Sequence, residues 1–158
     1  MEYIVKEYET RYFAGIELIG GFKIDSPDKK KIPGLWEELE NVYLDEIDNK
    51  KEPINYIGLE IYRVDFRESK TVDYYALVET DGLIEVEENL VTKKLPKGKY
   101  IQFPIKKADI SNEIKRVYRY VENENINVHL GFHVEDYLVD EKSHYNNDIL
   151  YLCFKLEE

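Results

Sequence analysis

The sequence predicts an α+β fold made of two halves that repeat one order of elements. Segments with alternating polar and apolar residues, typical of half-buried strands, flank two segments in which apolar residues recur at helical spacing. Strands, a helix and two further strands follow one another in about residues 1–82, and again in about residues 89–158. We therefore expect two pseudo-symmetric β-α-β-β units with an antiparallel sheet. A chain of 158 residues is long enough for one such domain with a shared core.

The first half begins with one or two strands between Glu2 and Leu18. Apolar residues then recur at helical spacing from Ile32 to Ile47, and Pro33 suits the first turn, where a missing N–H costs nothing. Two strands follow, over residues 55–63 and 72–80. In the first of them, one face carries Ile57, Leu59 and Ile61, and the other carries Tyr56, Gly58, Glu60 and Tyr62.

The second half follows an acidic linker at residues 85–89. Strands over residues 90–95 and 100–105 flank a glycine-containing turn, and this pattern predicts a hairpin. A helix capped by Asp109 or Ser111 comes next. Its apolar stripe comprises Ile110, Ile114, Val117, Tyr118 and Val121. Two strands, over residues 132–140 and 149–156, complete the half.

A Glu-x-Tyr triplet stands in the first strand after each helix. Side chains alternate along a strand, so His133, Glu135 and Tyr137 share one face at a spacing of about 7 Å. Glu60 and Tyr62 have the matching positions in the first half. If the apolar faces pack on the helices, both Glu-x-Tyr faces look toward a shared cleft. The alternatives are a solvated surface for Glu135, because glutamate is rarely buried unpaired, and a chance match of the triplets.

Composition narrows the classes of function. The net charge is −11, from 33 acidic and 22 basic residues, which disfavours direct binding of nucleic acid and favours cations or simple solubility. The 14 tyrosines suit wet pockets and interfaces. The single cysteine, Cys153, offers neither an internal disulfide nor a cysteine metal site. The three histidines lack a compact ligand spacing, and we expect His133 to be a surface histidine rather than a catalytic one. No apolar segment is long enough to cross a membrane, and we expect a cytoplasmic protein without a membrane partner.

Four stretches of the chain resemble the GyrI-like effector-binding domain, which is also the ligand-sensing half of some AraC-type and MerR-type multidrug regulators. They are Ile32-Pro33-Gly34-Leu35-Trp36, Ile57-Gly58-Leu59-Glu60, Leu95-Pro96-Lys97-Gly98-Lys99-Tyr100, and Val134-Glu135-Asp136-Tyr137 with Leu150-Tyr151-Leu152. The resemblance implies two β-α-β-β units around a central cleft for bulky, often cationic, aromatic molecules. It also implies that Glu135 is the counter-charge and that aromatic residues stack on the ligand. No helix-turn-helix segment is recognised, so direct regulation of transcription is not expected.

The predicted function is therefore that of a stand-alone binding protein for bulky aromatic, preferentially cationic, molecules, without a cofactor or metal. The predicted ligand-binding residues are Glu135, Tyr137, Tyr151, Trp36, Tyr43, Glu60, Tyr62 and Tyr75. For Trp36 a core position is an equal alternative. A second hypothesis, which the resemblance also implies, is a hydrolase of strained electrophiles in the same cleft, with Glu135 or Glu60 as general base. A third is a protein-interaction domain that sequesters a partner through its acidic surface.

Overall fold

The computed structural model describes residues 1–137 and 148–157. The strands are β1 (Ile4–Tyr8), β2 (Arg11–Glu17), β3 (Phe22–Lys23), β4 (Tyr56–Tyr62), β5 (Thr71–Thr80), β6 (Val91–Leu95), β7 (Gly98–Lys106), β8 (Phe132–Asp136) and β9 (Ile149–Lys155). The α-helices are α1 (Ile32–Glu38), α2 (Phe66–Ser69) and α3 (Ile110–Asn123). Residues 138–140, predicted as the end of a strand, and His144 lie outside the described residues. None of the described helices is long and apolar enough to cross a membrane.

One nine-stranded sheet has the order β1-β7-β9-β8-β4-β5-β2-β6, with β3 beside β5, and its neighbours pair antiparallel. Strands β8 and β4 pair at its centre. Outward from this pair the order is β9 then β7 on one side, and β5 then β2 on the other. Each strand of the second half thus has a counterpart in the first, and the prediction of an α+β fold with two pseudo-symmetric units is confirmed.

The outer strands are exchanged between the halves. Strand β1 pairs with β7, and β6 pairs with β2. The predicted hairpin of residues 90–105 is therefore wrong. Strands β6 and β7 do not fold back on each other; they continue in one direction, and each pairs with a strand of the first half, β6 with β2 and β7 with β1. The Tyr100 hydroxyl donates a hydrogen bond of 2.7 Å to the Pro96 carbonyl at the junction.

The two predicted helices are present, and the first is less regular than expected. Helix α1 continues into a π-helical turn (Leu39–Tyr43) and a 3-10 turn (Leu44–Glu46), so the helical path ends close to the predicted Ile47. Helix α3 begins after Asp109, one of the two predicted capping positions, and buries Val117 and Val121 of its apolar stripe.

The inner strands of the sheet are buried on both faces. One core lies under α1, and a second lies under α3. A third contains the apolar faces of β4 and β8, including Ile57, Leu59 and Val134, together with Phe13 and Cys153. The shared cleft was inferred on the condition that these apolar faces pack on the helices, and the structure does not meet that condition. The sheet curls and closes on its own apolar face, so the Glu-x-Tyr faces are the ones turned toward the helices.

Candidate ligand-binding site

A cavity of about 1030 Å³ lies over the central strands β4 and β8, on the helix-bearing face of the sheet. Its walls include Ile24, Lys29 and Ile32 from the first half, and Ile110, Ile114 and Tyr118 from the second. Its floor is formed by Glu60, Tyr62, Tyr74, His133, Glu135 and Tyr137. The volume is at the upper end of the range for pockets that bind drug-sized molecules.

The register of β4 against β8 explains why two carboxyl groups meet on this floor. Leu59 pairs with Val134, Gly58 pairs with Glu135, and Glu60 pairs with His133. A two-fold axis through the Leu59–Val134 pair therefore exchanges Glu60 with Glu135. Since side chains alternate along a strand, both carboxyl groups point to the same face. The matching triplets seen in the sequence thus correspond to symmetric positions of the fold.

The same axis exchanges Gly58 with His133. Because one residue has no side chain and the other has a ring, the two glutamates have different surroundings. A Cβ atom on Gly58 would lie 2.6 Å from Glu135 Oε1 and 2.5 Å from the Tyr74 hydroxyl. The absence of a side chain at Gly58 therefore leaves room for the contact between Glu135 and Tyr74. At the symmetric position the imidazole of His133 occupies the corresponding space beside Glu60, and its Nε2 lies 2.9 Å from Glu60 Oε2.

Glu135 is buried, with 4% of its surface exposed. The Tyr74 hydroxyl donates a hydrogen bond of 3.2 Å to Glu135 Oε1, and Trp36 Nε1 donates one of 2.9 Å to the Tyr74 oxygen. Burial, and then the neighbouring Glu60, raise the pKa of Glu135 to about 8, although His133, the Tyr74 hydrogen bond and Lys29 act to lower it. The carboxyl group is therefore largely protonated at neutral pH in the empty cavity.

His133 connects the floor of the cavity to α3. Its Nδ1 shares a hydrogen bond of 2.6 Å with the Tyr118 hydroxyl, which shares another of 2.8 Å with the Tyr62 hydroxyl. Burial acts against a charged imidazole, but the attraction of Glu60 outweighs it and raises the pKa of His133. The sequence indicated a surface histidine here. That interpretation is wrong, because β8 is a central strand covered by α3 and only 1% of His133 is exposed.

The predicted site residues fall into three groups in the structure. Glu60, Tyr62, Glu135 and Tyr137 line the cavity. Trp36 lies outside the lining, and its ring is edge-on to that of Tyr137 with 5.4 Å between the ring centroids. Tyr43 packs against the core under α1. Tyr75 and Tyr151 lie in the third core, on the opposite face of the sheet. The structure thus brings four of the eight residues together in the cavity lining.

The lining residues that were missing from the predicted site include Tyr74, Tyr118 and His133. Tyr118 stands on the stripe of α3 that was interpreted as apolar, and Tyr74 stands in the alternating strand β5. Their hydroxyl groups could have indicated a polar neighbour, because a buried tyrosine normally has a hydrogen-bond partner. The pairing of Tyr74 with Glu60 also places the two on one face.

The curled sheet, the two symmetric halves and this cavity define a small-molecule (effector) binding domain. The model of the Cass2 family, the integron-associated effector binding proteins, matches residues 5–152, and the chain belongs to that family. The GyrI-like resemblance seen in the sequence is thereby confirmed. No curated protein matches the chain in sequence.

Solved structures of other proteins share the fold. SAV2435 bound to tetraphenylphosphonium has 16% identity and a TM-score of 0.74, with 99% of this chain and 94% of that chain covered. EcmrR in a DNA complex has 13% identity and a TM-score of 0.71, with 99% and 57% covered. A hydrolase from Listeria innocua has 9% identity and a TM-score of 0.53, with 99% and 92% covered. At these identities the likeness establishes the fold alone.

Proposed function

We propose that the protein binds bulky lipophilic organic cations, aromatic ones above all, with Glu135 and Glu60 as the counter-charges. The observation that carries this proposal is a pair of buried carboxyl groups on the floor of a large, tyrosine-rich cavity. Glu135 and Glu60 are only 4% and 8% exposed. Among the ion pairs of the described residues, neither glutamate pairs with a lysine or arginine. A buried carboxyl group such as Glu135 ionises readily only beside a cation, and a bound ligand can supply that cation.

The walls of the cavity suit the apolar part of such a ligand. The rings of Tyr62, Tyr74, Tyr118 and Tyr137 stand around the two carboxyl groups. A cation over an aromatic ring gains roughly 0.5–2 kcal/mol per contact, and most when it is shielded from water. Flat rings accept many ligand shapes, so this arrangement favours broad specificity. SAV2435, which has the same fold, was solved with the lipophilic cation tetraphenylphosphonium.

The decisive experiment is a calorimetric titration with two ions of nearly equal shape and opposite charge. Tetraphenylphosphonium should bind, and tetraphenylborate should bind far more weakly. We expect Glu135→Gln to lower the affinity for the cation by about 1–3 kcal/mol at pH 8.5, since a charge-assisted partner is lost in a shielded site. Glu122→Gln on the exposed side of α3 is the matched control for net charge, and it should bind as the wild type does.

A neutral ligand of similar size, triphenylphosphine oxide, separates stacking from charge. Its affinity should change little in Glu135→Gln, because the tyrosine rings remain. Equal binding of the anion and the cation by the wild type would refute the electrostatic part of the proposal.

Hydrolysis of electrophiles in the same cavity is the second candidate function. It is favoured by the pKa of Glu135, about 8, which is close to the value that suits a general base at neutral pH. Turnover of epoxides and activated esters by the wild type, lost in Glu135→Gln and kept in Glu122→Gln, would support it. Absence of turnover together with tight binding of cations would leave binding as the function.

A further inference from the structure

We propose that Glu60, His133 and Glu135 form a site for a divalent transition-metal ion on the floor of the cavity. This goes beyond the binding of organic cations, because it concerns a different ligand class and assigns a role to His133. No metal was expected from the sequence, since the histidines lack a compact spacing. The fold instead gathers one histidine and two glutamates from paired central strands.

The geometry of the three side chains suits one ion. One ligand atom from each residue, an imidazole nitrogen or a carboxylate oxygen, lies within 4.8 Å of the others. In a tetrahedral zinc site with bonds of about 2.0–2.2 Å, two ligand atoms stand about 3.3–3.6 Å apart. Side chains separated by as much as 4.8 Å therefore have to approach by about 1.2–1.5 Å, which requires rotation of the glutamate side chains around the ion. The 2.9 Å between His133 Nε2 and Glu60 Oε2 already matches two adjacent ligands.

The buried Nε2 atom of His133 points to the ion. His133 Nε2 is fully buried and has no aligned hydrogen-bond partner in the described part of the chain, although Glu60 Oε2 is close. On the other side of the ring, Nδ1 is 2.6 Å from the Tyr118 hydroxyl. If Nδ1–H donates to that oxygen, Nε2 presents a lone pair to the two carboxyl groups. Metal-binding histidines are typically held in this tautomer by such an outer hydrogen bond.

The charges and the open side of the cluster define the kind of metal. Two carboxylates and a neutral imidazole balance a dication. A set of one nitrogen and two oxygens suits Zn²⁺, Co²⁺, Ni²⁺ or Mn²⁺ better than Mg²⁺ or Ca²⁺, which prefer oxygen alone. The three ligands lie on the floor of a cavity, so a further coordination position faces the space above them. This is the arrangement of open metal sites rather than of closed structural ones.

The metal and an organic cation should compete, because both use the same two carboxyl groups. A bound dication would neutralise them and leave an organic cation without its counter-charge. This competition rests on the proposed function, whereas the metal site itself does not.

The test is a titration of the untagged, chelator-treated protein with Co²⁺ at pH 8, followed by calorimetry and by visible absorption. We expect a single ion per chain, with the intense bands of a four- or five-coordinate site. His133→Gln should lose the ion, because its ring nitrogen is one of the three proposed ligands. Tyr118→Phe should weaken Co²⁺ binding by about 10–100-fold, the usual effect of removing an outer partner of a ligating histidine. His129→Gln, which removes an exposed histidine, is the control and should bind Co²⁺ as the wild type does.

Absence of Co²⁺ binding to the wild type, or unchanged binding in His133→Gln, would overturn the metal site. If His133→Gln does not fold, Glu60→Gln decides in its place, with the same loss of Co²⁺ expected and unchanged binding contradicting the site. Failure of tetraphenylphosphonium to bind to the metal-free wild type would overturn the proposed function alone.

Discussion

The proposed counter-charge makes the affinity for organic cations depend on pH, and Glu135 sets the direction. In the empty cavity, burial raises the pKa of Glu135 to about 8. A bound cation stabilises the ionised carboxylate and lowers that pKa again. The affinity should therefore rise as the pH approaches 8 and level off above it. His133 acts in the same direction, because its loss of a proton at higher pH removes a positive charge from the floor.

The size of the effect follows from the fraction of Glu135 that is already ionised. With a pKa of about 8, roughly 1% of the carboxyl groups are ionised at pH 6 and about half at pH 8. If the complex contains only the carboxylate, the affinity rises by about 50-fold between these pH values, or about 2 kcal/mol. Binding near pH 7 should release close to one proton.

Calorimetry with tetraphenylphosphonium from pH 6 to pH 9 measures both quantities. Repeating the titration at pH 7 in buffers with different ionisation enthalpies counts the released protons. Glu135→Gln should flatten most of the pH dependence, and triphenylphosphine oxide should show little dependence in either protein. A wild-type affinity that stays constant between pH 6 and pH 8.5 would refute the reasoning, because a protonated, buried Glu135 would then have no role in binding.

Three further predictions follow from the contacts. Gly58→Ala should weaken the binding of cations and destabilise the protein by about 1–3 kcal/mol, because its Cβ would displace Glu135 and the Tyr74 hydroxyl; affinity titration and chemical denaturation measure the two effects. Without ligand, the free energy of unfolding should fall as the pH rises from 5 to 9, because the raised pKa of Glu135 lets the folded state hold a proton that the unfolded state has released. Urea denaturation at several pH values measures this fall, and Glu135→Gln should reduce its slope. Arg11→Met should destabilise the protein by about 1–3 kcal/mol in urea denaturation, because buried Glu79 loses its 3.0 Å ion pair but keeps Lys51 at 3.2 Å. Tetraphenylphosphonium binding to the folded protein should not change, since this pair lies on the other face of the sheet.

The strand patterns predicted much of the site. Alternation placed Glu135 with Tyr137, and Glu60 with Tyr62, on common faces, and the register of β4 and β8 brings both pairs to one cavity. Alternation is a local property, and it assigns residues to a face without saying what covers that face.

The assignment of faces to helices therefore required the structure. In a sheet buried on both sides, the apolar residues of β4 indicate burial but not helix contact. Tyr75 and Tyr151 stand on the covered face that has no helix, so their aromatic character alone suggested a cavity position. His133 was taken for a surface residue because its partner Tyr118 belongs to another element, fifteen residues away in the chain. Contacts of this kind depend on how α3 lies over β8.

The exchanged outer strands have a consequence for dividing the chain. A fragment of residues 1–82 would contain β1 without β7 and β2 without β6, and a fragment of residues 89–158 would have the complementary vacant edges. The central pair of β4 with β8 would be broken as well. Each fragment alone should therefore be unfolded. Mixed in equal amounts, the two should reassemble, because every missing partner is supplied by the other piece. The chain is thus suited to a split reporter whose assembly an added ligand would promote.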